Sequence, residues 1–195
     1  VWTECCHACM GPLPGASLLK RCEKATTLCV STNPLLGIRN IRLGKVASLR
    51  AMGLNAYPSR SRRTHYAKAI LADFTGHEGQ TVIVAGRLMA WRKQGALAFG
   101  HIQDQSGRIQ LFLRRQLVQP TDATAQTLGY ADLAQLDLGD VVEASGKVVR
   151  TERGEISVLV EQFRLLTKAL RPLPDQWSGL KDREQVLRKR YLDVI

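Results

Sequence analysis

Phe99, His101 and Gln103 alternate along one short apolar-rich run, and Arg108, Gln110, Phe112 and Arg114 alternate along the next. Rings, carboxamides and guanidiniums in that pattern suit single-stranded nucleic acid. They offer a flat surface for stacking, donor–acceptor groups for base edges and cations for phosphates. Glu155 and Ser157 repeat the two-residue spacing further along, and Arg87 shares it in the run before. Taken singly, each has a plainer reading: Phe99 plugging a barrel mouth, Gln110 solvated, Glu155 paired with Arg153, Arg87 covering apolar surface with its stem. Their coincidence on one face is what points to binding. No Walker loop and no nucleophile–base set accompanies them, so no catalytic residue is assigned.

The cysteines give a weaker pattern. Cys5, Cys6, Cys9, Cys22 and Cys29 all fall in the first 29 residues. Cys6-x-x-Cys9 with Cys22, Cys29 and His7 could be forced into a four-ligand zinc site, but the second paired knuckle is missing, so no metal site is expected. The odd count requires no disulfide framework, which makes a reducing cytoplasm the expected compartment. No apolar run is long enough to span a membrane, and none is expected as a partner.

The net charge of +11 is unevenly spread. Residues 1–68 hold 11 Lys/Arg against 2 acidic residues, whereas residues 69–195 hold 17 against 15. Within that balanced part, residues 87–115 carry Arg87, Arg92, Lys93, Arg108, Arg114 and Arg115 against Asp104 alone. This local basic patch makes Arg92, Lys93, Arg108 and Arg114 candidates for phosphate contact.

Several elements must position these groups. Val46, Leu49 and Met52, with Gly53 as a stop signal, predict a short helix from about Ile41. A second is expected in "SRRTHYAKAILADF" with Thr64 as its cap, before "TGHEGQ" turns the chain. From Thr81 the apolar period becomes two. "TVIVAGRLMAW", "LAFGHIQD" and "RIQLFLRR" read as three strands, "DATAQTLGYADLAQLDLGD" as a helical insert, and "VVEASGKVVRT" and "EISVLVEQFRLL" as two more strands. Three strands, a helix and two strands is the arrangement of a five-stranded OB-fold barrel of Greek-key type, mainly β with flanking helices. Burying Ile102, Ile109, Leu111, Leu113, Ile156, Val158 and Val160 sends Phe99, His101, Gln103, Gln110, Phe112, Glu155 and Ser157 outward.

From Ile41 onward the chain resembles the amino-terminal part of bacterial class II lysyl-tRNA synthetases, the lysine–tRNA ligases. The landmarks are "LRAMGLNAYP", Thr64–His65, "VAGRLM", "FGHIQDQSGRIQLF", "LDLGDVVEASGKVVRTERGEISV", "LLTKALRPLPDQWSGLKDREQ" and "RKRYLDVI". The resemblance implies an anticodon-binding barrel over 81–168, a helical segment over 41–80, and a linker leading into an absent catalytic domain over 169–195. Residues 1–40 stand outside it and are expected to be a leader, disordered or artefactual. Leu187, Tyr191, Val194 and Ile195, on a helix running from Lys181, would be the leading edge of that missing domain.

The resemblance further implies that Phe99 stacks on the central anticodon uridine, that Arg87 and Gln110 address that base's edge, and that Glu155 lies near the third anticodon base. Uracil carries two carbonyl acceptors flanking an N–H donor, and a carboxamide can match that pattern. It implies tRNA-Lys as partner, ATP and Mg2+ as cofactors of the parent enzyme but none in this fragment, and a homodimeric parent. Ala96 stands where the family commonly has Lys, leaving Lys93 to supply that loop's phosphate contact. The alternatives are a freestanding OB-fold protein for single-stranded nucleic acid, and an aspartate- or asparagine-type synthetase domain.

Overall fold

A computed structural model describes residues 34–173, 183–188 and 190. Helix α1 spans Pro34–Ala51 and so starts seven residues before the expected Ile41. Pro34 suits a first helical position, where its missing N–H has no intrahelical partner to lose. Val46 and Leu49 are buried. At the helix end, Gly53 takes φ +75°, and its amide donates to the Arg50 carbonyl at 2.9 Å. Glycine reaches that left-handed conformation without a Cβ clash.

The second helix, α2, covers only Ala67–Ala72, and Thr64 does not cap it. Thr64 instead pairs with the next strand: its amide donates to the Ile83 carbonyl at 2.9 Å, and its hydroxyl accepts from the Ile83 amide at 2.9 Å. The cap comes from a distant turn. Asp104 Oδ2 accepts from the Ala67 amide at 2.8 Å, while Oδ1 accepts from the Ser106 amide at 2.6 Å and the Gly107 amide at 2.9 Å. The expected turn "TGHEGQ" begins as a further helical turn, α3 (Phe74–His77), capped by Asp73.

Burial alone would raise the Asp104 pKa, but the hydrogen bonds from Ala67, Ser106 and Gly107 outweigh it and hold the carboxyl below its ordinary value of 3.8. A carboxylate with a depressed folded-state pKa contributes stability above the unfolded value, and that contribution is lost as pH falls through the folded value. The melting-temperature gap between wild type and Asp104→Asn should therefore be wide at neutral pH and narrow below 3.8. An unchanged gap would show that the charge does not hold this cap.

Five strands follow: β1 (Thr81–Gln94), β2 (Leu97–Gln103), β3 (Arg108–Arg114), β4 (Val141–Arg150) and β5 (Ile156–Thr167). They close in the order β1-β2-β3-β5-β4, with β4 pairing back onto β1. All pairs are antiparallel except β3 with β5. This is the five-stranded OB arrangement expected from the strand order. Val82, Val84 and Leu88 point inward with Ile102, Ile109, Leu111, Val142, Val158 and Phe163. Ile156, expected in the core, is only half-buried, at the strand's start. At Gly146 the Leu159 carbonyl oxygen would lie 2.0 Å from an added Cβ, so only glycine lets β4 and β5 approach this closely.

The insert between β3 and β4 is not the expected helix. It holds a single 3-10 turn, Ala131–Gln135, and spends its other backbone groups on the barrel and on itself. The Leu128 amide donates to the Phe163 carbonyl at 2.7 Å, and Asp122 and Thr127 exchange amide–carbonyl bonds at 3.1 and 3.0 Å. Leu128, Tyr130, Leu133 and Leu136 are buried in the hydrophobic core.

Charged groups tie the outer elements to the barrel. The Lys168 side chain is 0% exposed, and its ammonium donates to the Gln135 carbonyl at 2.6 Å, Asp137 Oδ2 at 2.5 Å and Asp140 Oδ2 at 2.7 Å. From α1, Lys45 donates to Asp137 at 2.7 Å and Arg42 to the Ala169 carbonyl at 2.7 Å. On β4, Glu143 accepts from the Arg164 guanidinium at 2.6 Å, and its other oxygen accepts from the Ser61 hydroxyl at 2.8 Å and the Arg62 amide at 2.6 Å. Helix α4 (Arg183–Arg188) is joined internally by the Glu184–Arg188 pair at 2.6 Å. The five cysteines, and the Tyr191, Val194 and Ile195 positions of the expected stripe, lie outside the described residues.

Candidate nucleic-acid interface

The strand registers decide which side chains share the outer face. Across the sheet, Arg92 pairs with Phe99, Phe99 with Phe112, and Phe112 with Leu159. The next row is Ala90, His101, Gln110 and Ser157, and the one beyond joins Arg87, Gln103 and Arg108. A register shift between Leu88 and Ala90 re-aims β1 between these rows. Without it, two-residue alternation would bring Ala90 and Arg92 to the inner face with Leu88.

In the first row, Phe99 and Phe112 stack with ring centroids 4.9 Å apart and planes 7° from parallel. Phe112 is 9% exposed and Phe99 is half-buried, so Phe99 is the ring with the freer surface. Phe112 supports it from below, and the Arg114 guanidinium carbon lies 5.0 Å from the Phe112 centroid. Two aromatic rings so arranged are worth about 0.5–1.5 kcal/mol beyond their buried area, which holds Phe99 in one orientation.

The second row is a hydrogen-bonded chain. The Ser157 hydroxyl donates to Gln110 Oε1 at 2.5 Å, Gln110 Nε2 donates to Glu155 Oε2 at 2.7 Å, and Glu155 Oε1 meets His101 Nε2 at 3.2 Å. Glu155 thus takes His101 and Gln110 as partners rather than Arg153. Ser157, expected to be exposed, is fully buried, and Gln110 is 9% exposed. Both lie on the outer side of the strands, and they are bonded to each other and, through Gln110, to Glu155. Glu155 remains half-exposed, its side chain at 51%.

An open cleft of about 560 Å³ runs along this row, lined by His101, Arg108, Gln110, Gly154, Glu155 and Ile156, with Leu71 of α2 at its edge. Arg92 and Arg114 are exposed at the other end of the face, beside the aromatic pair. Arg87 is half-buried and donates to the Gly139 carbonyl at 3.3 Å, at the base of the same face. Lys93 is not brought to the cleft. It pairs with inward-facing Ala98, and its ammonium lies 4.8 Å from the centroid of the Tyr130 ring.

Seven of the eight sequence-derived residues therefore share the face, and Lys93 stands apart. Sequence reasoning missed the support that Phe112 gives Phe99 and the burial of Ser157. Phe112 carried a signal, since it lies on the outward side of β3 by alternation. Nothing local marked Ser157 as the partner of a glutamine 47 positions earlier.

Residues 82–166 match the tRNA anticodon family of OB-fold nucleic acid binding domains. Similar curated proteins include a lysine–tRNA ligase of Pelotomaculum thermopropionicum, 41% identical over 81% of this chain and 30% of the relative. One of Carboxydothermus hydrogenoformans is 43% identical over 80% of the chain and 30% of the relative, and one of Thermosynechococcus vestitus is 47% identical over 81% and 32%. The chain spans about a third of the length of these relatives. The closed barrel thus matches the tRNA anticodon family of OB-fold nucleic acid binding domains over residues 82–166, and four fifths of the chain is similar to about a third of these lysine–tRNA ligases.

Proposed function

We propose that this chain binds the anticodon loop of a lysine-accepting tRNA. The central uridine stacks on Phe99, Gln110 and Arg87 meet that base's edge, and Glu155 stands near the third anticodon base. The observation that carries this reading is the single barrel face that joins a supported, half-exposed ring to the Gln110–Glu155 pair, flanked by exposed Arg92, Arg108 and Arg114. The rings supply sequence-tolerant stacking, the amide and carboxylate supply the edge contacts, and the guanidiniums hold the phosphates. As part of a longer ligase, the chain would present the tRNA to a separate domain that attaches lysine with ATP and Mg2+ and that forms the dimer. No residue here is assigned to either cofactor.

Two outcomes test the reading. Affinity for a stem-loop bearing UUU should fall as salt rises, because cationic side chains displace phosphate counterions. Gln110→Ala should retain most of the affinity but lose much of the preference for uridine at the centre, since an edge contact contributes discrimination more than attraction. Full retention of that preference in a titration at fixed salt would contradict the assignment.

A further inference from the structure

The Gln110 side chain carries two opposite ends of nearly equal size, and which end faces the base decides which base fits. With its oxygen toward a uracil N3–H and its nitrogen toward a uracil carbonyl, the amide matches uracil. Turned by half a rotation, it would match cytosine, whose ring nitrogen accepts and whose amino group donates. A carboxamide by itself therefore does not separate the two pyrimidines. Something must fix its direction.

The neighbours of the amide differ in their power to do so. The Ser157 hydroxyl sits 2.5 Å from Gln110 Oε1, but a hydroxyl can donate or accept and would tolerate either end. The Glu155 carboxylate lies 2.7 Å from Gln110 Nε2 and can only accept. Turning the amide would set two acceptor oxygens against each other at that distance, where Gln110 itself is 9% exposed. Glu155 is itself held from its far oxygen by His101 at 3.2 Å.

We infer that Glu155 is a positioning residue that fixes the direction of the Gln110 amide, and that discrimination of uridine from cytidine at the central anticodon base depends on this contact. The inference rests on the reading of Gln110 given above and adds a role for Glu155 at a base it does not touch. Ser157 then serves as a tether that steadies the amide without choosing its direction.

The test uses the full chain and anticodon stem-loops bearing UUU, UCU and UUC. In Glu155→Gln the new amide can accept or donate, so both directions of Gln110 become available. The preference for UUU over UCU should fall by about tenfold, within the range for one mismatched polar contact. Gln110→Ala should lower that preference too, and adding Glu155→Gln to Gln110→Ala should change it no further. Ser157→Ala keeps the acceptor-only neighbour and should retain the direction of the preference. If Glu155→Gln keeps the full UUU-over-UCU preference and alters only UUU over UUC, Glu155 reads the third base directly and the inference is overturned while the role of Gln110 stands. If Gln110→Ala leaves UUU over UCU unchanged, the reading of this face fails, and the inference with it. Equal melting temperatures of the variants and wild type would confirm that binding, not folding, is being read.

Discussion

Lys168→Met should destabilise the barrel by about 3–5 kcal/mol, the range for removing one partner of a buried ion pair. The Lys168 and Asp140 side chains are both 0% exposed, and the ammonium also bridges Asp137 and the Gln135 carbonyl. Without it, the Asp140 carboxylate keeps only the Asp137 and Ala169 amides as donors. The loss should spread, because Asp137 also receives Lys45 and thereby fastens α1 to the 137–140 loop. Burial alone would raise the Asp137 pKa, yet hydrogen bonds from Lys168 and Lys45 hold it below the ordinary value, so the loop depends on both cations. Urea unfolding measures the effect. Adding Asp140→Asn to Lys168→Met should cost less than the two single changes together, because the double variant no longer buries an unpaired charge. A loss below about 1 kcal/mol for Lys168→Met would place the cluster among surface pairs of little weight.

Phe99→Ala should weaken binding of the UUU stem-loop by about 1–3 kcal/mol, the usual worth of one base stacked on an aromatic ring. Its stack on Phe112 leads to a further expectation: the ring is held in place before the RNA arrives, so little ordering should accompany binding. Phe112→Leu keeps apolar volume but removes the parallel support. It should weaken the same complex by less than Phe99→Ala does, since Phe112 is buried and offers little surface to a base. Fluorescence titration of the three proteins against one labelled loop checks the order. Phe99→Ala binding as tightly as wild type would remove the stacking platform from the account.

The barrel was largely legible because alternation is a local signal. Val82, Val84 and Leu88 face inward as their spacing predicts, and Phe99, His101 and Gln110 take the opposite side. What escaped was decided by partners far away in the chain. Lys168, Asp140, Glu143 and Arg164 are charged residues in the interior, tolerable only because each meets a counter-charge 21 to 28 positions away. The 121–139 segment has apolar residues at spacings close to helical. Its backbone is nevertheless drawn into bonds with β5, and Gly139 at φ +96° bends it back toward β4. The α2 cap could not be read locally either, since Asp104 lies 37 positions from the amide it accepts. In the site, the residue types were visible, but the direction of the Gln110 amide follows only from its Glu155 and Ser157 neighbours.

Whether this barrel face holds an anticodon loop is decided by titrating the chain with a stem-loop bearing UUU and with the same stem carrying a central-base-substituted loop, at one fixed salt concentration. The stems present identical phosphates, so any difference comes from the bases. The UUU loop should bind more tightly, with the difference reduced in Gln110→Ala. Equal affinity of the wild-type chain for both loops would contradict it.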